Sequence, residues 1–514
     1  MAVIELAALP VIETDALVVG AGPTGLMAGL VLARRGVDVL VIDAKSGPTR
    51  ESRALAVQAR TVEIYDQLGL AEDMLAEAFE ARSVQVGNSA AGVVAGLADA
   101  QGAATRYPGI HVFEQSRNEE LLGEALAARA PVRWNTRLIA ILDDGSEPGA
   151  QDGPAHAEAL AEGPEGLVRI RARWCIGADG AGSAVRHAMG VGFQGVTDHA
   201  TFYVADLRGV RGVPEETIAI RIGGGSLALL FPMGPGGHAR IISMAPGPEV
   251  GQDEALAAAR SELGITCADV DWFSTYRVHH RVASAFRKGQ LFLAGDAAHV
   301  HSPVGGQGMN TGLQDAHNLA NHLADIALGI AAPAAADAYE AERRPVAKRL
   351  VSVTDRLFGL VAGRSRGTAR LRRLIAPLAG FAAPRVLASR LGSHVAGLLG
   401  QYRIRYGAAD RAAVGGADRA VGLRLPEVGA NAEALRRLSW QVHTYGAHVD
   451  HCDLPTAVDG PLDFGADPQG RLSAERAYLV RPDGFVAASL PVEDGAIGAG
   501  ALRVALAAND LIPA

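Results

Sequence analysis

Residues 15–43 read DALVVGAGPTGLMAGLVLARRGVDVLVID and join a short apolar strand, a glycine-rich turn, a helix and a second strand. The turn has the pattern Gly20-x-Gly22-x-x-Gly25, and Asp43 ends the second strand. Such glycines permit a tight turn, close approach of the main chain to a pyrophosphate at the helix N-terminus, and close packing of helix on strand. Asp43 can accept hydrogen bonds from a ribose. The stretch therefore predicts a Rossmann-like unit that binds a dinucleotide.

A second motif of the same kind lies far along the chain. Residues 291–299 read LFLAGDAAH and end a predicted strand at Asp296, and residues 302–312 read SPVGGQGMNTG and lead into a helix from about Gly308. We expect Asp296 to accept a hydrogen bond from a ribityl hydroxyl. We expect the helix to direct free N–H groups at the flavin ring, where negative charge develops on reduction. NAD needs no second site of this kind, so the two motifs together predict FAD.

A third motif, CIGADGAGSAVR at residues 175–186, again joins a strand to a helix through an acid, Asp179, and a glycine turn. Taken alone, it would be an ordinary strand–turn–helix. Its place between the other two motifs assigns it to the same nucleotide site.

The composition is that of a globular enzyme. The chain has 514 residues, of which 49% are apolar and 20% charged, so two to four domains or subdomains are expected. A formal net charge of −8 predicts no nucleic-acid partner. No apolar stretch is long enough for a membrane span and the N-terminus does not resemble a signal peptide, so we expect a cytoplasmic protein with no membrane partner. The 3 cysteines form no C-x-x-C pair, which excludes a disulfide scaffold and a cysteine zinc site.

The pattern of predicted elements indicates an α/β fold in three parts. A Rossmann-like FAD-binding domain takes residues 1–195 and, with a helical region, residues 277–400. An antiparallel sheet that forms the substrate-binding domain is inserted at residues 196–276, where short β-rich segments alternate with Gly/Pro turns. Residues 401–514 form a C-terminal domain with its own βαβ-like pattern.

In this order and at this spacing, the three motifs resemble the para-hydroxybenzoate hydroxylase superfamily of flavoprotein monooxygenases, over most of residues 15–350. The segments DALVVGAGPTGL at 15–26 and SRAL at 52–55 are most similar to hydroxylases that act on polyketides and other bulky phenols. Residues from Tyr402 onward resemble the thioredoxin-like C-terminal domain of larger family members. That domain has only Cys452 here, which excludes a dithiol redox role, so we expect it to pack or to support oligomerisation.

The motifs and the resemblance together imply a set of FAD contacts. Arg53 is expected on the flavin side, Gln115 at a ribityl or phosphate oxygen, and Asp179 at both FAD and the nicotinamide donor. Pro303 is expected at the flavin face where oxygen reacts. The full set is Gly20, Gly22, Pro23, Thr24, Gly25, Asp43, Ala44, Lys45, Arg53, Gln115, Leu138, Asp179, Asp296, Pro303, Gly306, Gly308 and, at the ring edge, Met309 and Asn310.

The resemblance also implies a mechanism. In this family NADPH, or less often NADH, reduces FAD, and the reduced flavin reacts with O2 to give a C4a-hydroperoxide. A phenolic substrate takes up the distal oxygen and loses its proton to a base or to water. The protein itself supplies positioning, a dry pocket and timing. No side chain is singled out as the catalytic base.

A bulky substrate of low charge is expected from the inserted sheet. The strand LALLFPM at 227–233 stands where the hydroxybenzoate branch carries polar and arginine groups that grip a carboxylate. We expect Leu229, Phe231 and Met233 to line a pocket suited to a larger aromatic molecule, with Pro303 completing it. The alternative is that these residues face the other side of the sheet as plain core.

Two other functions remain open. The same scaffold can insert oxygen into a polycyclic ketone in a Baeyer–Villiger-type reaction, and a flavin-binding module without turnover is the alternative of another class. A flavin halogenase is not expected, because the 4 tryptophans are isolated. No metal site is expected either, since His299, His301 and the pair His279–His280 lack ligand spacing on a helix. The expected partners are a small aromatic substrate and O2, and a homodimer is left open.

Overall fold

The computed structural model describes residues 6–49, 54–87, 93–96, 104–146, 155–223, 227–247, 249–301, 306–362, 397, 400–407, 418–450 and 452–512. Arg53 and Pro303, both expected at the site, lie outside these ranges. Within the ranges given, no helix is both long and apolar enough to cross a bilayer.

The strands of the described residues fall into four sheets and are numbered in chain order. They are β1 (Val11–Val19), β2 (Val39–Ile42), β3 (Ala56–Val57), β4 (Phe79–Ala81), β5 (Ser83–Gly87), β6 (Val93–Gly96), β7 (Ile110–Val112), β8 (Val132–Arg133), β9 (Arg137–Asp143), β10 (Ala157–Gly163), β11 (Gly166–Gly177), β12 (Phe193–Arg208), β13 (Thr217–Ile222), β14 (Leu227–Gly234), β15 (His238–Met244), β16 (Asp269–Ala283), β17 (Arg287–Lys288), β18 (Leu291–Leu293), β19 (His299–Val300), β20 (Trp440–Thr444), β21 (Val458–Asp463), β22 (Arg476–Val480), β23 (Val486–Glu493) and β24 (Ala496–Ile497).

The α-helices are numbered in the same way. They are α1 (Pro23–Arg34), α2 (Ala59–Gln67), α3 (Ala71–Glu77), α4 (Gln115–Ala127), α5 (Ala184–Met189), α6 (Gln252–Leu263), α7 (Gly308–Ala327), α8 (Ala336–Ala362), α9 (Asn431–Leu435) and α10 (Ala499–Ala507). Short 3₁₀ helices cover Leu6–Ala8, Gly295–Ala297 and Pro333–Ala335.

The first sheet is the expected Rossmann-like sheet. Its spatial order is β17-β18-β11-β1-β2-β8, and β1 runs parallel to both β2 and β11. The hairpin of β9 and β10 joins this sheet through β11. Strand β18 lies parallel to β11, although the whole inserted sheet separates them along the chain. The predicted α/β fold with a Rossmann-like FAD domain is therefore confirmed.

Helices α1 and α7 approach each other closely at the end of this sheet. A Cβ atom on either Gly295 or Gly312 would lie 2.5 Å from the Oγ1 atom of Thr24. Only glycine fits opposite Thr24 at both positions, because close-packed interiors leave no room for an extra carbon. This contact locks α1, α7 and the 3₁₀ turn Gly295–Ala297 into one unit.

The second sheet is the expected, largely antiparallel insert. Its spatial order is β19-β16-β12-β15-β14-β13-β5-β6. The sheet extends beyond the predicted residues 196–276, because β12 begins at Phe193, β16 ends at Ala283, and β5 and β6 precede the insert in the chain. The sequence did not predict β16. Polar residues occur on both faces of the first half of that strand, and buried residues alternate with less buried ones only in its second half.

The two faces of the second sheet pack against different partners. Leu229 and Phe231 lie on the face that packs against the small sheet β3-β7-β4, which belongs to the expected FAD-binding domain. Met233 packs, half-buried, against the same cluster. Leu230 and Ile241 lie on the opposite face, which packs on α6. All three residues thus face the FAD domain, where they belong to a hydrophobic core cluster, and Phe231 also lines a cavity.

The C-terminal domain contains a sheet of five strands in the order β21-β20-β22-β23-β24. Strands β20 and β21 are parallel, whereas β22 and β23 are antiparallel to their neighbours, and α10 follows. This arrangement confirms the expected fold class for the C-terminal part. Its cysteine, Cys452, is half-buried and free.

Candidate FAD and substrate site

The three glycines of the first motif are needed for different reasons. Gly20 has φ +104°, and a Cβ there would lie 2.4 Å from the carbonyl oxygen of Ala178. A Cβ on Gly25 would lie 1.8 Å from the carbonyl oxygen of Gly20. A Cβ on Gly22 would meet nothing within 4 Å. The fold therefore requires Gly20 and Gly25, while the open space at Gly22 is suited to a closely approaching ligand.

Asp43 follows β2 and organises the chain around the turn. Its carboxylate accepts hydrogen bonds from the main-chain N–H of Ala21 at 2.6 Å and of Lys45 at 2.7 Å. The Nζ atom of Lys45 lies 3.4 Å from the carboxylate of Glu119 on α4. The side-chain amide of Gln115 donates to the other oxygen of Glu119 at 2.9 Å. These contacts bring Asp43, Lys45 and Gln115 around one opening.

Two cavities meet at the glycine-rich turn. The first cavity, around Asp43, has a volume of about 450 Å³, and the second cavity, around Asp296, has a volume of about 590 Å³. Gly22, Gln115 and Gly180 line both, so the two cavities are adjacent. Among the predicted residues, the first cavity is lined by Gly20, Gly22, Asp43, Ala44, Lys45, Gln115, Leu138 and Asp179. The second is lined by Gly22, Pro23, Thr24, Gln115, Phe231, Asp296, Gly306, Gly308 and Met309. Neither is lined by Gly25, Leu229, Met233 or Asn310.

Asn310 holds the start of α7 in place. Its Oδ1 atom accepts hydrogen bonds from the N–H of Gln58 and the hydroxyl of Thr61, both at 2.8 Å. Its Nδ2 atom donates to the carbonyl oxygens of Ala56 at 2.7 Å and Gly306 at 2.8 Å. The amide is thus fully committed to the protein, and a contact of Asn310 with the flavin edge stays a prediction.

Asp179 follows β11 and caps the short helix α5. Its Oδ2 atom accepts hydrogen bonds from the N–H of Ala184 at 2.6 Å and of Val185 at 3.3 Å. Its Oδ1 atom is buried beside the first cavity, without a hydrogen-bond partner among the described residues. Buried polar atoms are normally paired, so this oxygen is placed to accept a hydrogen bond from a ligand.

Asp296 lies in the 3₁₀ turn Gly295–Ala297, where it is exposed to the second cavity between two buried residues. A carboxylate of α7 holds this turn. Asp315 accepts a hydrogen bond from the N–H of Gly295 at 3.2 Å, and the same oxygen lies 2.6 Å from Nε2 of His299. His299 is thus part of the packing around the turn. No group of three His, Cys, Asp or Glu side chains in the described ranges could hold a metal ion.

The second cavity has an apolar wall that the second sheet provides. His279 of β16 also lines the cavity, and its Nδ1 atom lies 3.0 Å from Oγ1 of Thr197. The sequence missed the residues of β16, since it missed the strand, although the alternation of Tyr276, Val278 and His280 could have indicated it. The apolar wall consists of Phe231, Ile242, Tyr276 and Val278.

The residues present fit FAD. The carboxylate of Asp43 stands at the end of β2, where a ribose is bound in dinucleotide folds, and Gly22 leaves the space that a pyrophosphate needs. The unpaired oxygen of Asp179 and the exposed carboxylate of Asp296 are acceptors for hydroxyl groups. The apolar wall of the second cavity leaves room for aromatic rings.

Comparison with known proteins gives the same result. A family model described as an FAD binding domain matches residues 13–354. A 12-dehydrotetracycline 5-monooxygenase/anhydrotetracycline 6-monooxygenase from Streptomyces rimosus is 32% identical, covering 94% of this chain and 97% of its own length.

Solved structures share the whole architecture. An anhydrotetracycline hydroxylase from Streptomyces rimosus superimposes with a TM-score of 0.75 at 30% identity, covering 98% of this chain and 100% of its own. A Diels–Alderase from the biosynthetic pathway of pyrroindomycins superimposes with a TM-score of 0.73 at 26% identity, covering 98% of this chain and 100% of its own. Proteins of this architecture therefore differ in the reactions they catalyse.

Proposed function

The chain belongs to the FAD-binding domain family and is an FAD-dependent monooxygenase, and we propose that it hydroxylates a bulky, polycyclic phenol with NADPH or NADH as electron donor. The observation that carries this proposal is the apolar wall of the second cavity. Phe231 and Tyr276 stand on that wall, and the same cavity reaches Asp296 and Gly308 of the flavin motif. A fused aromatic ring system fits such a surface because flat, apolar rings pack well against aromatic side chains.

The side chains that the inserted sheet turns toward the second cavity also support an aromatic substrate. Strand β14 turns Phe231 toward the cavity, where the hydroxybenzoate branch is expected to grip a carboxylate. Arg240, on the adjacent strand, is fully engaged elsewhere, with Asp206 at 2.5 Å and Glu114 at 3.0 Å. The part of the wall that β14 and β15 provide, Phe231 and Ile242, is therefore uncharged, while the exposed Arg277 of β16 also lines the cavity beside Tyr276.

The chemistry of oxygen belongs to the cofactor: bound at the two cavities, FAD would take electrons from the nicotinamide and supply the reactivity toward O2. The residues of this chain bind, orient and exclude water. Phe231, Ile242 and Tyr276 cover the substrate on one side and keep the cavity dry. Thr24, Gly295 and Gly312 fix the two motifs that meet at the cofactor. No residue is assigned as the base that receives the phenolic proton.

Two alternatives share this site. Baeyer–Villiger-type oxygen insertion would need a ketone in the same apolar cavity, and a non-catalytic flavin-binding module would need the cofactor without turnover. The pyrroindomycin Diels–Alderase shows that this architecture also occurs in a protein named for a different reaction. The cytoplasmic location and the homodimer stay predictions.

One experiment separates these possibilities. FAD-loaded protein is mixed with NADPH or NADH under air, with and without a panel of polycyclic phenols and polycyclic ketones. A hydroxylase oxidises the nicotinamide faster with a phenol, releases little peroxide and adds one oxygen atom to the ring. A ketone converted to a lactone supports the Baeyer–Villiger alternative. A flat response to every compound, with FAD bound, contradicts the proposal.

A further inference from the structure

A cluster of buried charged side chains lies beside the turn that presents Asp296. Asp315 of α7 and Arg343 of α8 both have fully buried side chains, and Nε of Arg343 donates to Oδ1 of Asp315 at 2.7 Å. The Oδ2 atom of Asp315 is the one that accepts the N–H of Gly295 and meets His299. One carboxylate therefore joins α7, α8 and the turn Gly295–Ala297.

This arrangement is costly unless its geometry is fixed. A buried ion pair loses the solvation of both charges, and only good geometry and further hydrogen bonds offset that loss. Arg343 makes such bonds, because its guanidinium also donates to the carbonyl oxygen of Thr311 at 3.3 Å and to Oη of Tyr406 at 3.1 Å. Burial alone would raise the pKa of Asp315, but Arg343 and His299 hold that pKa below its usual value. Asp315 is thus ionised, with both of its oxygens engaged.

The far end of the cluster lies in the C-terminal domain. The ring of Tyr406 stacks on that of Phe485, with centroids 4.1 Å apart. Gln401, from the same segment as Tyr406, donates to Oγ1 of Thr311 at 2.8 Å and also pairs with Gln314. The C-terminal domain therefore contacts α7 through Gln401 at two residues that precede Asp315, Thr311 one turn before it and Gln314 immediately before it.

We propose that Asp315 is a positioning residue for the FAD site, and that the C-terminal domain sets its orientation through Tyr406 and Arg343. Asp315 fixes the turn that presents Asp296 to the second cavity. The described residues of the C-terminal domain line neither cavity, yet retention of FAD depends on that domain. This inference needs only that FAD is the cofactor, so it stands or falls separately from the proposed substrate.

The test compares two variants, Asp315→Asn and Tyr406→Phe, with the wild-type holoenzyme. The first keeps the size of the side chain and removes its charge, and the second removes only the oxygen that accepts from Arg343. The Kd for FAD is measured by fluorescence as FAD is added back to apoprotein, together with the visible circular dichroism of the bound flavin. We expect the Kd to rise about 10-fold or more for Asp315→Asn and about 3- to 10-fold for Tyr406→Phe, with an altered dichroism band in both.

Tyr445→Phe is the matched control. Tyr445 is another buried tyrosine of the C-terminal domain, and its oxygen accepts a hydrogen bond from Asn431 at 2.8 Å, but it touches no member of the Asp315 cluster. This variant should lose some thermal stability and keep both the FAD Kd and the dichroism of wild type. If Asp315→Asn does not fold, the two tyrosine variants decide the matter. A wild-type Kd in folded Tyr406→Phe, or an equal loss of affinity in Tyr445→Phe, overturns the proposal.

Discussion

The carboxylate of Asp43 accepts a hydrogen bond from the main-chain N–H of Ala21 at 2.6 Å, which ties the end of β2 to the glycine-rich turn. The same residue lines the first cavity. Asp43 therefore has two tasks, since it shapes the turn from within and stands where a ribose would bind.

Replacing Asp43 by Asn should weaken both tasks. An amide can still accept a hydrogen bond but cannot offer two charged oxygens, and hydrogen bonds to charged groups contribute about 1.5–3 kcal/mol. We expect the Kd for FAD to rise at least about 10-fold, measured by fluorescence titration of apoprotein. Asp38→Asn is the control, because Asp38 is an exposed acid beside the same strand. Equal FAD affinity in both variants would contradict the role of Asp43.

Gly22 and Gly25 should respond differently to alanine. A Cβ on Gly22 meets no protein atom within 4 Å, and its φ of −81° suits any residue, so Gly22→Ala should fold with the melting temperature of wild-type apoprotein. Its added methyl group enters the space expected for the pyrophosphate, so FAD binding should weaken strongly. Gly25→Ala places a carbon 1.8 Å from a carbonyl oxygen and should lower the melting temperature or prevent folding. Full FAD affinity in Gly22→Ala is the result that would count against the assignment.

Phe231→Ala tests the proposed substrate wall. Burial of an aromatic ring contributes about 1.5–3 kcal/mol, so loss of Phe231 should raise the Kd of a polycyclic phenol about 10- to 100-fold. The measurement is a titration of the bound flavin's absorbance with the phenol. Leu230→Ala is the control, because the adjacent side chain packs on the other face against α6. That variant should lose about 2–5 kcal/mol of stability and keep its affinity for the phenol.

The free energy of unfolding should decrease as the pH is lowered, already at pH values above those at which carboxylates normally take up protons. Burial, followed by the positive charge of Arg60, lowers the pKa of His317 on α7 from 6.5 to about 3. Below pH 6.5, His317 is therefore protonated in the unfolded chain but stays neutral in the folded protein. The free energy of unfolding then decreases by about 1.4 kcal/mol for each pH unit because of this residue.

The check is chemical unfolding at several pH values between 6.5 and 4.5. His317→Leu removes the titrating group and should make the free energy of unfolding less dependent on pH by that amount. The variant's absolute stability does not enter the comparison, because the slope is the quantity measured. An unchanged slope would mean that His317 is protonated in the folded protein.

The elements that local pattern determines were predictable. The largely apolar runs Thr217–Ile222 and Arg476–Val480 form strands, and the unit around Gly20 forms as its sequence predicts. Glycine spacing and apolar runs are read from neighbouring residues, so they need no knowledge of the rest of the chain.

Contacts between residues far apart in the chain could not be predicted from local sequence patterns. No residue near Asn310 in the sequence indicates that its side-chain amide bonds to Gln58 and Thr61. Strand β16 forms because β12 and β19 flank it. Tyr276 and His279, which line the second cavity, lie on this strand and were therefore missed as well. Tertiary pairing, rather than intrinsic preference, decides such strands.

The bond between Gln58 and Asn310 spans 252 residues of chain, which has a consequence for synthesis on the ribosome. Because the ribosome adds about 5–20 residues per second, Asn310 is synthesised roughly 13–50 s after Gln58. During that interval the N-terminal part of the FAD site lacks the contacts that α7 makes with it. Strand β18 and helix α7, which complete the turn, come after the entire inserted sheet. FAD can therefore bind only late in synthesis. Until then the apolar surface that β18 and α7 later cover is exposed, and chaperones would act in that interval.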